Sequence, residues 1–352
     1  MGPSAVTGRI VVTRRIPEAG MALLWAEPGV EVEVLEEAQD RGPHRDRLLE
    51  AVAAADVLLC LLTEVVDREL LSAGRGLRGV SQMAVGVDNV DVPAATELGI
   101  PVGHTPGLLT DTTADLAWAL LMATARHIPQ AHQYQVEGRY RIWGPELFTG
   151  ADLSPGGSGR RKVLGIVGFG RIGQAVARRS VGFDMEVVAH DPRNRERVEE
   201  APGVRWAGLD ELLESSDFVS LHTPLTPETH HLIGERELRR MKPSAILVNT
   251  ARGPVVDETA LVRALEEGWI AGAGLDVYEE EPHMAAGLAH LPNVVLLPHI
   301  GSASGDTRGR MARMAAMNAL AFLRGEAGPH TVNPQVYATL AYGRRQSDRR
   351  HG

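Results

Sequence analysis

The chain has 352 residues, 44% of them apolar and 23% charged, which is ordinary soluble composition and enough for two domains with their own cores. Its formal net charge of −9 offers DNA, RNA and anionic membranes no electrostatic attraction, and this argues against a nucleic-acid or membrane-surface role. No apolar run is long enough to span a bilayer. The first residues, MGPSAVTGRIVVTRR, lack the h-region of a secretory signal, so a cytoplasmic location is expected.

In chain order, RIVV (Arg9 to Val12), VEVEVL (Val30 to Leu35), DVLLCLL, GVSQM and IPVG read as short strands, with amphipathic helical segments such as Arg45 to Ala54 between them. DVLLCLL contains the only cysteine, Cys60, read as a buried thiol that forms neither a disulfide framework nor a zinc site. A long helix is predicted from Thr110 to Ile128, with Thr110 or Asp111 as its N-cap. The Pro/Gly/Ser-rich LSPGGSGRRK that follows reads as an exposed loop. A second series of strands then runs through KVLGIVG, EVVAHD, DFVSLH, AILVNTA, IAGAGLDV and NVVLLPH. A last helix begins near Arg310, and the residues from 336 to 352, ending in GRRQSDRRHG, read as a disordered tail. Two such alternations of strand and helix imply an α/β protein with two doubly wound parallel-sheet domains.

Within the second series, GIVGFGRIGQAVARR sets Gly168, Gly170 and Gly173 in G-x-G-x-x-G spacing. The spacing alone is weak in a chain with 38 glycines. Its context is specific, because an apolar strand leads in, a helical run leads out, and Asp191 ends the next strand. Gly168 permits the tight turn, Gly170 lets backbone approach a pyrophosphate, and Gly173 lets the helix pack on the sheet. The helix N-terminus offers free N–H groups to phosphate. Asp191 can accept from the adenosine ribose. Beside the 2′-phosphate of NADP, a carboxylate costs roughly 1–4 kcal/mol at about 4 Å. NAD is therefore the predicted cofactor, with leakage to NADP because Arg193 and Arg195 stand just beyond.

Other groups are open to chemical and structural readings alike. Only Lys162 and Lys242 are lysines, so 34 of the 36 basic residues are arginine and an arginine by itself marks nothing. Arg252, however, follows the strand AILV, at the kind of strand end where open α/β sheets bind ligands, and its fork matches a carboxylate. His299 follows the strand in NVVLLPH, and imidazole suits proton transfer near neutrality. It competes with His104, His222, His230 and His231 among 13 histidines. None of these has convincing metal-ligand spacing, so no metal is predicted. In MAVGVDNVD, Val85 and Gly86 follow a strand, where glycine lets N–H groups turn toward an anion. YEEEP, from Tyr278 to Pro282, holds three successive glutamates, a run that is ordinarily solvated surface.

Together AVGVDNVD, GIPVGHTPGLLTDTTADLA, GIVGFGRIGQAVARR, NTARGPVVDE, AGAGLDVYEEEP and LPHIGSA resemble, in order and across residues 9 to 335, the D-isomer-specific 2-hydroxyacid dehydrogenase family. GHTPGLLTDTTADLA and RIWGP are most similar to its glyoxylate and hydroxypyruvate reductase branch. The resemblance implies a Rossmann cofactor domain, residues 109–300, inserted into a flavodoxin-like substrate domain made of 1–108 and 301–335. It implies a dimerisation helix and loop over 110–150. The implied catalytic set is Arg252, Glu281 and His299, with Val85 and Gly86 binding substrate carboxylate through backbone N–H groups. Implied cofactor contacts are Gly168, Phe169, Gly170, Arg171, Ile172, Gly173, Asp191, Pro192, Arg193, Thr250, Ala251, Arg252, Asp276, His299, Ile300 and Gly301. Trp143 matches a tryptophan that reaches a neighbouring subunit's active site, which implies a homodimer. The implied reaction is reversible NAD(P)H-dependent reduction of a small 2-keto acid, glyoxylate or hydroxypyruvate, to glycolate or D-glycerate. His299 would be the proton donor, held by Glu281. The rival readings are a dehydrogenase for D-lactate or 3-phosphoglycerate and an NAD-sensing corepressor-like binding protein. Pro254 departs from the family, which commonly has glycine there, and leaves the shape of that loop open. LSPGGSGRRK is several residues longer than usual.

Overall fold

The structure, a computed structural model, describes residues 7–35, 42–339 and 341–342. The described residues divide into two compact units, one formed by those within 1–109 and 303–352, the other by 110–302.

The first unit is built on five parallel strands: β1 (Gly8–Val12), β2 (Val30–Val34), β3 (Val57–Cys60), β4 (Gly79–Gln82) and β5 (Val102–Gly103). Their order is β2-β1-β3-β4-β5, the flavodoxin-like arrangement. The central strand β3 is apolar at every position because both faces of the sheet are covered. Leu48, Val52, Leu70 and Leu71 pack on one face; Met21, Leu24, Ala315, Ala319 and Phe322 pack on the other. Cys60 is buried in this core, and burial pushes its thiol up, so it stays protonated and inert. The last long helix, Gly305–Leu323, starts five residues before the predicted position at Arg310. Ser304 caps it by accepting from Thr307 N, a signal that lies upstream of the apolar pattern.

Residues 336–338 depart from the expected disordered tail. Pro334–Ala338 is a turn of 3-10 helix with Val336 fully buried. Buried Asn333 anchors it by donating to Ile100 O and accepting from Val102 N. Tyr342 also departs from the expected tail, donating through its hydroxyl to Gly325 O and through its N–H to Thr339 Oγ1, while residues 340 and 343–352 of that tail lie outside the described residues.

The second unit has seven parallel strands: β6 (Val163–Val167), β7 (Glu186–His190), β8 (Val204–Trp206), β9 (Phe218–Leu221), β10 (Ile246–Asn249), β11 (Gly272–Leu275) and β12 (Val294–Leu296). Their order is β12-β11-β10-β9-β6-β7-β8. The chain leaves β6 toward β7, then crosses back to β9, so the connections part on opposite sides between β6 and β9. That is the topological switch point at which a Rossmann sheet takes its ligand. Strand β8 is absent from the sequence reading because it is a three-residue edge strand, only partly buried. The helix expected from Thr110 to Ile128 ends at Ala125; His127 turns left-handed at φ 51°, and a second helix, Ile128–Val136, begins with Pro129 in its first turn. In the LSPGGSGRRK loop, Leu153 is buried against the core, and Arg160 pairs with Asp217 at 3.0 Å. No described helix is long and apolar enough to cross a membrane.

Candidate active site

The residues singled out in the second unit emerge at one edge of its sheet, where successive parallel strands end. Gly168 follows β6, Asp191 follows β7, Thr250 to Arg252 follow β10, Asp276 follows β11, and His299 comes three residues after β12.

The three glycines after β6 have different physical causes. Gly168 has φ 91°, and a Cβ there would lie 2.7 Å from the backbone of His222. At Gly173 a Cβ would stand 2.2 Å from Gly168 O, so helix Arg171–Arg179 packs on the turn only because no side chain intervenes. A Cβ on Gly170 would meet nothing within 4 Å. That open space is what close approach of a ligand needs. No side chain caps the helix. Gly170→Ala is therefore expected to leave the melting temperature unchanged and weaken NADH binding, read by fluorescence titration. Gly173→Ala is expected to cost about 1–3 kcal/mol of stability, and equal melting temperatures for the two variants would contradict this division.

Three buried side-chain atoms near these strand ends have no hydrogen-bond partner among the described residues: His222 Nδ1, Thr223 Oγ1 and Thr250 Oγ1. Buried polar atoms left unsatisfied cost roughly 1–3 kcal/mol each, so a polar ligand is the simplest account of them. Burial holds the His222 imidazole down at about 3, so it is neutral at every physiological pH and serves as a hydrogen-bonding group rather than an acid. His222 and Thr223 are not among the cofactor contacts expected from sequence. The available signal was their place directly after β9, at the switch point. The glycine turn, the uncapped helix and these orphaned atoms fit a dinucleotide.

Phe169 and Asp191 do structural work. The Phe169 ring is buried in the core, and its N–H donates to Asp191 Oδ2 at 2.9 Å. The Asp191 carboxylate also accepts from Arg193 N, Asn194 N and Asn194 Nδ2. Its charge is thus fixed at the end of β7. Exposed Arg193 is paired with Glu228 at 3.2 Å.

Arg252 stands on a turn held by Asn249, which is fully buried. The Asn249 side chain accepts from Ala251 N at 3.0 Å and donates to Arg252 O at 2.9 Å. Pro254 fits because it falls in the first turn of a 3-10 helix, Gly253–Val255, where an N–H is dispensable, and its carbonyl accepts from His231 N.

Glu281 and His299 meet. Nδ1 of His299 lies 2.8 Å from Glu281 Oε2, while Glu281 Oε1 accepts from Tyr278 N at 3.1 Å. The carboxylate is therefore held at both ends, and Nε2 is the ring nitrogen left for chemistry. The two side chains are 28% and 30% exposed, accessible to a small molecule. His299 itself has φ 52°, a left-handed conformation that costs a non-glycine residue about 1–2 kcal/mol and persists only where its surroundings enforce it. The enforcing group is Asp276, buried, whose oxygens accept from Ile300 N and Gly301 N at 2.7 Å each and whose backbone carbonyl accepts from His299 N. Burial raises the Asp276 carboxyl above its ordinary range, against the opposing pull of those N–H groups and of His299. Both Asp276 oxygens are occupied, so this residue supports the His299 turn. Tyr278 ties the Glu281 turn to the same segment through its hydroxyl, which donates to Leu297 O.

Of the three glutamates, Glu280 is exposed and solvated. Glu279 is not: its Oε1 lies 2.6 Å from His231 Nε2 and its Oε2 accepts from Glu258 N.

In the first unit, Val85 O accepts from His104 Nδ1 at 3.0 Å, and Gly86 O accepts from Gln82 Nε2 at 2.7 Å. His104 is thus a support for this turn. The carbonyls are satisfied from within the unit, and the N–H groups of Val85 and Gly86 have no hydrogen-bond partner among the described residues. That asymmetry suits anion binding.

A family model described as the NAD binding domain of D-isomer specific 2-hydroxyacid dehydrogenases matches residues 118–301. The chain belongs to the D-isomer specific 2-hydroxyacid dehydrogenases. It is 51% identical over 330 residues to a glyoxylate reductase of Korarchaeum cryptofilum, with 93% of this chain and 96% of the relative covered. Among solved structures, a protein from Thermus thermophilus matches with a TM-score of 0.83 and 45% identity, over 92% of this chain and 99% of that one. An NADPH-dependent glyoxylate/hydroxypyruvate reductase of Sinorhizobium meliloti, solved with NADP and malonate, matches at a TM-score of 0.75 and 33% identity, over 92% and 96%. As a 2-hydroxyacid dehydrogenase the chain is an NAD(P)-dependent oxidoreductase.

Proposed function

We propose that this dehydrogenase reduces glyoxylate, and also hydroxypyruvate, to the corresponding D-2-hydroxy acid. The observation that carries the reading is the Glu281–His299 pair at the sheet edge where the Arg252 turn also emerges. A nicotinamide dinucleotide held at the Gly168–Gly173 turn would supply the hydride for C2 of the keto acid. Arg252 binds the substrate carboxylate through its fork, and in the first unit the N–H groups of Val85 and Gly86 are suited to a carboxylate. His299 donates the proton from Nε2 to the carbonyl oxygen, and its imidazolium offsets charge developing there. Glu281 fixes the ring orientation through Nδ1.

NAD is the preferred cofactor in this reading. The Asp191 charge is locked by four donors, and Arg193, which could hold a 2′-phosphate, is already answered by Glu228. A second copy of the chain completes the reading. Ile142 and Trp143 are 82% and 72% exposed on the 110–150 segment, adjacent apolar side chains that a second copy could cover. Sedimentation is expected to give a dimer, and Trp143→Ala to raise KM for the keto acid. A monomer with unchanged KM overturns the role of Trp143. The acidic charge and lone buried thiol favour the cytoplasm.

The deciding experiment follows NADH and NADPH oxidation with glyoxylate, hydroxypyruvate, pyruvate and 3-phosphohydroxypyruvate. The expected order places the first two substrates and NADH highest; a strong preference for pyruvate, for 3-phosphohydroxypyruvate or for NADPH overturns the corresponding part. Glu281→Gln tests the pair. A neutral amide gives up the charge-assisted bond at Nδ1, so kcat with NADH and glyoxylate is expected to fall about tenfold while NADH binding persists. An unchanged kcat counts against the pairing.

A further inference from the structure

Two adjacent histidines and a glutamate outside the proposed reaction form a second constellation. The ligand atoms of His230, His231 and Glu279 all lie within 4.8 Å of one another. Successive side chains usually diverge. Here His231 has φ 50°, and this left-handed turn brings the two imidazoles side by side with ring centroids 4.0 Å apart. An ion pair between His231 and Glu279 needs neither that strained backbone nor His230. Strain of this kind persists where the surroundings enforce it, and it gathers at functional sites.

Backbone contacts on both sides of the pair do the enforcing. His231 N donates to Pro254 O at 2.8 Å. Glu279 N donates to Glu258 Oε1 at 2.8 Å, and the Glu279 carboxylate accepts from Glu258 N. Glu258 is itself buried. The Glu279 carboxylate is thus held from behind, as outer contacts hold metal ligands, and His231 is held through its backbone. The third, His230, is exposed, and its ring nitrogens have no hydrogen-bond partner among the described residues.

We propose that His230, His231 and Glu279 bind a divalent late transition metal, with Zn²⁺ as the fitting ion and water in the remaining position. Two imidazoles and one carboxylate are borderline donors that suit zinc, nickel or copper, whereas magnesium and calcium take oxygen ligands. A zinc ion takes about 2.0–2.2 Å to each donor, so His231 Nε2 and Glu279 Oε1 move apart from 2.6 Å to admit it, and the exposed His230 ring closes the set by a small rotation. The proposal departs from the expectation, drawn from sequence spacing, that the chain binds no metal, because Glu279 lies 48 residues from His231 and only the fold brings it near.

The test reads metal binding, so it is independent of the keto-acid reaction. The untagged full chain, stripped with a chelator, is titrated calorimetrically with zinc chloride. One saturable zinc per chain is expected, with no comparable heat from magnesium chloride. His230→Ala and Glu279→Gln are each expected to weaken binding by at least about tenfold. His230→Ala, an exposed substitution, is expected to keep the wild-type melting temperature, which separates lost ligation from lost folding. No saturable binding overturns the proposal. So does an unchanged affinity in both variants, which would put the zinc on other histidines.

Discussion

His299→Ala is expected to lower kcat for keto-acid reduction by about 10²–10⁴-fold, the range for loss of a positioned general acid. Melting temperature should change little, because the ring is only partly buried and its one strong side-chain contact is with the partly exposed Glu281. The effect belongs to the chemical step. Asp276 still holds the turn through Ile300 N and Gly301 N when the ring is gone, so nucleotide binding should persist. The measurement is a steady-state kcat with NADH and glyoxylate, beside a fluorescence titration of NADH alone. Turnover near the wild-type value would remove His299 from the acid role. Lost NADH binding would mean that the substitution acts through the fold of the turn.

Arg252→Lys is expected to raise KM for the keto acid strongly while leaving NADH affinity close to wild type. Lysine keeps the charge but offers a point in place of a planar fork, so the bidentate geometry is lost. A charge-assisted hydrogen bond contributes about 1.5–3 kcal/mol, which is on the order of ten- to a hundredfold in kcat/KM. The Asn249 clamp acts on backbone atoms of Ala251 and Arg252, so the turn itself should survive the substitution. An unchanged KM for glyoxylate would mean that Arg252 does not bind the carboxylate. Lowered kcat with unchanged KM would assign it to the transition state alone.

Much of this was legible in one dimension, because the signals are local. Periodicity marked the strands whose both faces are covered, and it failed at β8, where a three-residue edge strand carries too few buried positions to leave a pattern. The glycine spacing after β6 was readable because the motif is local, although its causes are not all local: Gly173 is crowded by nearby Gly168 O, Gly168 by the distant backbone of His222, and Gly170 by nothing within 4 Å. Arg252 and His299 could be singled out because strand ends carry ligands in open α/β sheets. The helix break after Ala125 was missed although Pro129 stood in the sequence, since a proline in a first turn can equally begin a helix.

The glutamates show where local reading stops. Composition and pattern determined that this is an acidic, two-domain α/β chain with a dinucleotide turn, and motif order carried the family. Nothing local distinguishes Glu279, Glu280 and Glu281, because three like charges in a row have the same propensities and the same hydration. Only the tertiary structure separated them. It set Glu281 against His299 across 18 residues and Glu279 against His231 across 48, and left Glu280 in water. The physical reason is that a side chain's chemistry depends on which distant groups the parallel strands bring to the same edge, and strand order is a property of the sheet, not of any segment in it.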